Sequence, residues 1–299
     1  MSESLPVLGL GVSLSLSEKP SPLTLCQAQK NETDVFRPQF IEYAGLCDVV
    51  CVQEDLQALQ AANIQSLFHP SFINFCGSFA NSADWLNLAN QHIAKAQSPW
   101  FAQDCAYCFW QEGFGYSSQF GFFIPPILNE ASLSKSIERV KEVQAAINVP
   151  LAIEPPPVTF SIGQMPVLEF FSRLSTEADC KLLLDVGHLV SYQMATGQNI
   201  QQDLNHLPLE RVIEVHIAGG EVRQVEQGPI YIDAHHKPIQ KESWAMLEAL
   251  LPLLPNLKAL CFECEGIEET DVLTNLALIK EKLLGLSTNP ALVEKVLAA

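Results

Sequence analysis

Two kinds of apolar pattern alternate along the chain. Short runs rich in Val, Ile and Leu, apolar at nearly every position, fall at 7–14, 46–52, 64–69, 100–104, 149–154, 181–185, 212–217 and 257–263. Such runs read as strands covered on both faces. Longer stretches with apolar residues at helical spacing lie between them, for example at 82–96, 130–147, 165–174, 241–251 and 271–284. Eight strands alternating with helices predict a parallel sheet closed into a single (β/α)8 TIM barrel. The segments 70–82 and 105–126 carry neither period and read as long loops, a length that usually serves function. The last stretch, about 286–299, reads as a short C-terminal helical extension of one domain spanning 1–299. Neither a linker nor a fixed-period repeat marks a boundary.

Composition narrows the function. The chain has 299 residues, 48% of them hydrophobic and 17% charged, which suits a large buried core. Asp and Glu outnumber Lys and Arg by 34 to 17, a formal charge of −17. That balance opposes sequence-independent binding of nucleic acid and docking on an anionic membrane. No apolar run reaches the roughly 18–20 residues of a membrane-spanning helix. The first cation is Lys19, so the N-terminus lacks the charged region of a signal peptide. Nine cysteines without a secretion signal are expected as mostly reduced thiols of a cytoplasmic protein.

The chemistry gathers where the strands end. The third ends at His69, the fourth at Asp104, the fifth at Glu154, the sixth at Asp185 and the eighth at Glu263; the seventh carries Glu214-Val-His216. In a barrel these C-terminal ends converge on one mouth. Alternate strand residues share a face, so Glu214 and His216 point inward together. Asp233-Ala-His235 repeats that spacing in the following loop, and Asp185-Val-Gly-His188 adds a further imidazole. A lone acid at a strand end is commonly a helix N-cap. Six carboxylates (Asp104, Glu154, Asp185, Glu214, Asp233, Glu263) and four histidines (His69, His188, His216, His235) converging on one mouth need compensating positive charge. Two or three metal ions supply it most simply, and the mixed donors suit iron, manganese or zinc.

The rival signals are weaker. Cys105–Cys108 and Cys261–Cys264 are both C-x2-C pairs, but they lie far apart, and alternate residues of a strand diverge. They read as core thiols, with Cys105 singled out because it follows Asp104. His92, His206 and His236 read as solvated or capping groups. Phosphate-loop and nucleophile-elbow motifs are absent from the sequence.

Taken in order, Glu154, Leu-Leu-Leu-Asp185-Val, Arg211-Val-Ile-Glu214-Val-His216-Ile-Ala-Gly219, Ile-Asp233-Ala-His235-His-Lys-Pro238, Trp244 and Phe262-Glu263 resemble the multinuclear non-haem iron-dependent oxidative enzymes. That family was long called domain of unknown function 692, and methanobactin biosynthesis protein B is its best-known member. The resemblance is strongest over 151–265. It implies a xylose-isomerase-like barrel with two or three iron ions that uses dioxygen to modify Cys residues of a ribosomally made peptide, often presented by a partner protein. Carried over by position, the ligands are His69, Asp104, Glu154, Asp185, His216, Asp233, His235 and Glu263, with Glu214 as a further ligand or a base. His188 stands where the family usually has Asn and would supply that ligand. Cys105 replaces the family's usual His. Glu214, Asp185 and His188 are the candidates for moving protons. The same residues leave open a zinc- or manganese-dependent isomerase or hydrolase of this barrel superfamily, and a metal-binding barrel without activity.

Overall fold

The computed structural model describes residues 4–16, 20–27, 35–44, 48–111, 113 and 119–298. Eight parallel strands, numbered along the chain, close into a barrel in the order β1 (Gly9–Ser13), β12 (Ala259–Glu263), β9 (Val212–Ala218), β8 (Lys181–Asp185), β7 (Leu151–Glu154), β4 (Phe101–Asp104), β3 (Gln65–Phe68) and β2 (Phe40–Tyr43). Seven of the eight expected strands lie where the apolar runs place them. The second does not. Residues 46 and 47 lie outside the described part, and Val49–Val52 forms a 3-10 turn whose N-terminus is capped by Asp48, its Oδ1 accepting the Val50 N–H at 3.0 Å. The second strand is Phe40–Tyr43 instead, a short run whose apolar pattern is broken by a buried glutamate.

The strand residues divide into two sets, except at a register shift in β9 where Ile213 and Glu214 both turn inward. One set of alternate positions faces outward and packs under the helices; Leu10, Val12, Ile41, Phe101, Ile153, Leu182 and Val215 belong to that main core. The other set fills the barrel, where Phe40, Leu67, Trp100, Ala102, Ala152, Leu183 and Cys261 make a second apolar cluster. β1 contributes little bulk to this interior. A Cβ on Gly11 would lie 2.5 Å from the Phe40 ring, so only glycine leaves room for that plug.

The helices cover the outside, the short α1 (Pro22–Cys26), α2 (Gln53–Ala61) and α7 (Ile200–Asp203) among them. α3 (Ala83–Ala96) starts with Ser82 accepting the Trp85 N–H, and α4 (Glu130–Ala146) starts with Asn129 accepting the Ser132 N–H. α5 (Val167–Ala178) buries a face that includes Phe170, Phe171 and Leu174. α6 (Val186–Thr196) begins directly on the last residue of β8. α8 (Lys241–Leu250) and α9 (Glu269–Leu286) complete the circuit beside β12. The C-terminal extension forms α10 (Pro290–Leu297), which buries Leu292 and Val296 and packs on β1.

Two antiparallel hairpins interrupt the barrel repeat. β5 (Tyr107–Phe109) pairs with β6 (Gln119–Ile124) inside the segment expected as loop. β10 (Gly220–Val225) pairs with β11 (Gly228–Asp233) immediately after β9. The second hairpin brings Asp233 back to the barrel mouth. Among the described residues no helix is long and apolar enough to cross a membrane.

Candidate metal centre

The inward-facing apolar layer is followed, two residues later on almost every strand, by a polar one. Phe40 leads to Glu42, Leu67 to His69, Ala102 to Asp104, Ala152 to Glu154, Leu183 to Asp185 and Cys261 to Glu263. The two-residue side-chain period of a strand puts each pair on the same face, so the second member sits one layer higher at the mouth. The ladder register levels these ends. Asp104 stands beside Glu154, Asp185 beside His216, and Ser13 beside both Glu42 and Glu263.

The result is a continuous band of imidazoles and carboxylates. His69 lies between Glu42 (Nδ1 to Oε2, 3.9 Å), Asp104 (Nε2 to Oδ2, 3.7 Å) and Glu154 (Nε2 to Oε2, 3.4 Å). His188, on the first turn of α6, has Nδ1 3.0 Å from Glu154 Oε1 and Nε2 3.5 Å from Asp233 Oδ2. His216 has Nε2 3.2 Å from Glu42 Oε1 and Nδ1 3.4 Å from Glu263 Oε1. His235 closes the band, with Nε2 3.2 Å from Asp233 Oδ2 and 3.6 Å from Glu263 Oε2. Within it, four trios have ligand atoms close enough to share an ion: Glu42/His69/His216, His69/Asp104/Glu154, Glu154/Asp185/His188 and Asp185/His216/Glu263. His69, Glu154, Asp185 and His216 each belong to two trios, so neighbouring ions would share ligands.

All ten residues expected at the mouth are in this cluster or against it. Asp233 and His235 border the four trios without belonging to them, and so does Glu214. Glu214 sits one layer deeper, wholly buried, with Oε2 held by the Trp100 indole N–H at 2.7 Å and Oε1 3.7 Å from His216 Nε2. Glu42 is the ligand candidate that sequence reasoning missed. Its signal was available as an acid near the end of a short apolar run, but the second strand was expected elsewhere. His92, expected as a solvated or capping group, is instead wholly buried, stacked on Phe68 and bonded to Tyr43. His206 and His236 are exposed.

Cys105 does not join the band. It is the first residue after β4, and the chain alternation that turns Asp104 inward turns Cys105 outward into the core. Its Sγ lies 3.8 Å from Cys76 Sγ, and burial pushes its pKa well up. The two C-x2-C pairs do not converge. Cys108 Sγ donates to Ile73 O and Cys264 Sγ to Ser13 O, while Cys261 lies inside the barrel.

The electrostatics of the band suit a bound cation. Each carboxylate pairs with an imidazole, and carboxylates outnumber imidazoles. Burial raises Glu154 to about 8, with the Asp104 charge adding to it. Burial also raises Asp185, to about 6, against the pull of His188. Burial would lower His69, but Glu42, Asp104 and Glu154 carry it up to about 9. Burial would raise Glu263, but His235 and His216 hold it at about 2. These are groups sharing too few protons.

Hydrogen bonding gives the same result. Buried atoms without a hydrogen-bond partner include Glu42 Oε2, His69 Nδ1, Asp104 Oδ1, Glu154 Oε1, Asp185 Oδ2, Asp233 Oδ1, Glu263 Oε2 and both ring nitrogens of His216. Buried polar atoms are almost always bonded, and an orphan costs about 1–3 kcal/mol. So many orphans aimed at one another in one place fit metal ligation. Asp185 illustrates the division of labour: Oδ1 caps α6 by accepting the His188 N–H at 2.7 Å, leaving Oδ2 turned to the band. Beside Asp233 and His235 a cavity of about 630 Å³ opens, also lined by Glu221, Arg223, His236, Lys237 and Glu265.

Among solved structures, the fold is similar to D-psicose 3-epimerase determined with D-fructose, with a TM-score of 0.59, 12% identity, and 92% of this chain matched to 99% of that one. It is also similar to a xylose isomerase domain containing protein of Salmonella typhimurium LT2, with a TM-score of 0.50, 10% identity, and 82% of this chain matched to 87% of that one. These establish a xylose-isomerase-like TIM barrel. In sequence, a UPF0276 protein of Vibrio vulnificus strain CMCP6 is 29% identical over 186 residues, 60% of this chain and 63% of that relative. One of Rhizobium meliloti strain 1021 is 26% identical over 200 residues, 66% of this chain and 59% of that relative. The chain thus spans about three fifths of the length of these curated relatives. Residues 47–277 match the family described as RiPP precursor modification enzyme MbnB/TglH/ChrH, RiPP meaning a ribosomally made, modified peptide. With that match over most of its length, and with the buried ligand band at its mouth, the chain belongs to the MbnB/TglH/ChrH family of RiPP precursor modification enzymes.

Proposed function

We propose that this chain is a multinuclear non-haem iron enzyme, holding two or three iron ions, that uses dioxygen to modify Cys residues of a ribosomally made peptide. The observation that carries the metal part is the set of orphaned buried donors shared between four ligand trios. Family membership supports the peptide substrate. The ligands are His69, Asp104, Glu154, Asp185, His188, His216, Asp233, His235 and Glu263, together with Glu42. Bound iron would supply the electron transfer and the thiolate affinity that cysteine oxidation requires.

The chain's own residues then have separable tasks. Glu214, raised by burial and by the Glu42 charge, can keep a proton beneath the ligand layer, where Trp100 fixes it. His188 contacts the Pro155 carbonyl through Nδ1 at 2.9 Å, which turns Nε2 toward Asp185 and Asp233. In this reading Glu214, with Asp185 and His188 from the ligand layer, moves protons. The apolar layer beneath the ligands keeps water from entering through the base of the barrel. The open cavity beside His235 has room for a peptide side chain, and a partner protein would present that peptide. The charge of −17 speaks against nucleic acid as substrate.

Elemental analysis of protein purified without oxygen tests this directly. Two or more irons per chain, reduced in His216→Ala and Asp233→Ala, are expected. Zinc or manganese alone after growth with ample iron would point to an isomerase or hydrolase. A chain without metal would overturn the proposal.

A further inference from the structure

Glu265 is not among the ligands assigned above, yet it makes the shortest imidazole–carboxylate contact in the band: its Oε2 lies 2.7 Å from His235 Nδ1. We propose that Glu265, held in turn by Ser13, is a positioning residue that sets the orientation and tautomer of His235 toward the metal centre. The inference rests on the metal-enzyme reading of the site.

The placement is built into the backbone. β12 ends at Glu263, and the chain then reverses in a tight turn closed by the Ile267 N–H on the Cys264 carbonyl at 3.2 Å. Gly266 occupies this turn at φ +74°, where a side chain would be strained. The turn is tied to β1 by the Cys264 N–H, which donates to the Ser13 carbonyl at 3.0 Å. Ser13 also donates its hydroxyl to Glu265 Oε1 at 3.4 Å. One oxygen of Glu265 therefore faces the barrel wall at Ser13, and the other is held against His235.

The chemical consequence concerns a single proton. Neutral imidazole carries one N–H, and its other nitrogen offers a lone pair. His235 has an acceptor on each side: Glu265 Oε2 at Nδ1, and Asp233 Oδ2 at Nε2. With the proton on Nδ1, held by Glu265, Nε2 presents its lone pair to the band beside Asp233 and Glu263. With the proton on Nε2, Asp233 accepts it, and both His235 and one Asp233 oxygen leave the ligand set. The shorter contact to Glu265 favours the first arrangement. A carboxylate behind a ligating imidazole orients the ring and strengthens it as a donor.

The test uses the full-length, metal-free protein titrated with Co(II) under nitrogen, reading visible absorption and dissociation constants, for wild type, Glu265→Ala, Glu265→Gln and Ser13→Ala. Loss of such a carboxylate typically weakens metal affinity about 10–100-fold. The expected result is a loss of that size at one Co(II) equivalent in Glu265→Ala, with altered visible bands. Glu265→Gln, which can still accept the N–H but carries no charge, should lose less, and Ser13→Ala less again. Melting temperatures of the metal-free variants should stay near wild type. Glu265→Ala binding all Co(II) as wild type does would overturn this inference alone. So would a loss matched by unfolding of the metal-free Glu265→Ala and Glu265→Gln, which would make the turn merely structural. Wild type that takes up no Co(II) would overturn the metal-enzyme reading itself.

Discussion

Trp100 reaches across the interior of the barrel and donates its indole N–H to Glu214 Oε2 at 2.7 Å. Both side chains are buried, Trp100 in the apolar layer and Glu214 at its upper boundary. The bond joins the floor of the barrel to the ligand layer, because Glu214 Oε1 faces His216.

Replacing Trp100 by Phe keeps most of the plug but leaves the second Glu214 oxygen, Oε2, unpaired beside the already unpaired Oε1. Such an orphan costs about 1–3 kcal/mol. Trp100→Phe should therefore lower the melting temperature of the metal-free protein by several degrees. Trp100→Phe combined with Glu214→Leu should recover part of the loss, since it removes both partners. A double variant less stable than Trp100→Phe would show that Glu214 has other essential partners.

Glu42 separates the site seen in the structure from the one legible in the sequence. Its carboxylate faces His69 and His216, and Oε2 has no hydrogen bond. Glu42→Gln keeps the volume and removes the charge. The expected outcome is loss of about one metal equivalent, measured by elemental analysis, with the fold intact by circular dichroism. Unchanged metal content would remove Glu42 from the ligand set.

Cys105 predicts the opposite. Its thiol faces Cys76 in the core, whose Sγ in turn accepts from the Ser136 hydroxyl. Cys105→Ala should leave metal content unchanged and cost about 1 kcal/mol of stability through the small void it creates. A fall in metal content as large as that of His216→Ala would place the thiol at the metals after all.

The metal-free protein should lose stability as pH rises. Glu154 and Asp185 titrate in the fold at about 8 and about 6, above their unfolded values, so between about pH 4 and 8 the folded state holds more protons than the unfolded one. His69, at about 9, extends the same sign through the range from about 6.5 to 9. Glu263 acts oppositely, but only below its unfolded pKa of about 4.5, as pH falls toward 2. Melting temperature without metal should fall from pH 5 to 9. Metal displaces these protons, so its stabilising effect should grow over the same range. A metal-free protein that grows more stable toward pH 9 would contradict these proton placements.

Much of this was legible from local pattern. The outward half of each barrel strand is apolar because helices cover it, and the inward half is apolar until the mouth. An acid or histidine ending an otherwise apolar run is therefore visible in sequence, as at His69, Asp104, Glu154, Asp185 and Glu263. The 3.6-residue period marked the covering helices for the same reason: one face of each is dry.

Tertiary structure decided what period and composition do not encode. Val49–Val52 has the residues of a strand but is drawn into a 3-10 turn by the Asp48 cap, while Phe40–Tyr43 became β2 by pairing with β1 and β3. Strand pairing is non-local, and a four-residue run with a buried glutamate carries too little periodicity to announce it. The same limit hid the β10–β11 hairpin that returns Asp233 and His235 to the mouth. It also hid which way Cys105 turns. Residue types and strand ends determined that acids and imidazoles would meet. The ladder register, the returning hairpin and the turn at Gly266 decided which atoms face one another, because those distances depend on backbones brought together from opposite ends of the chain.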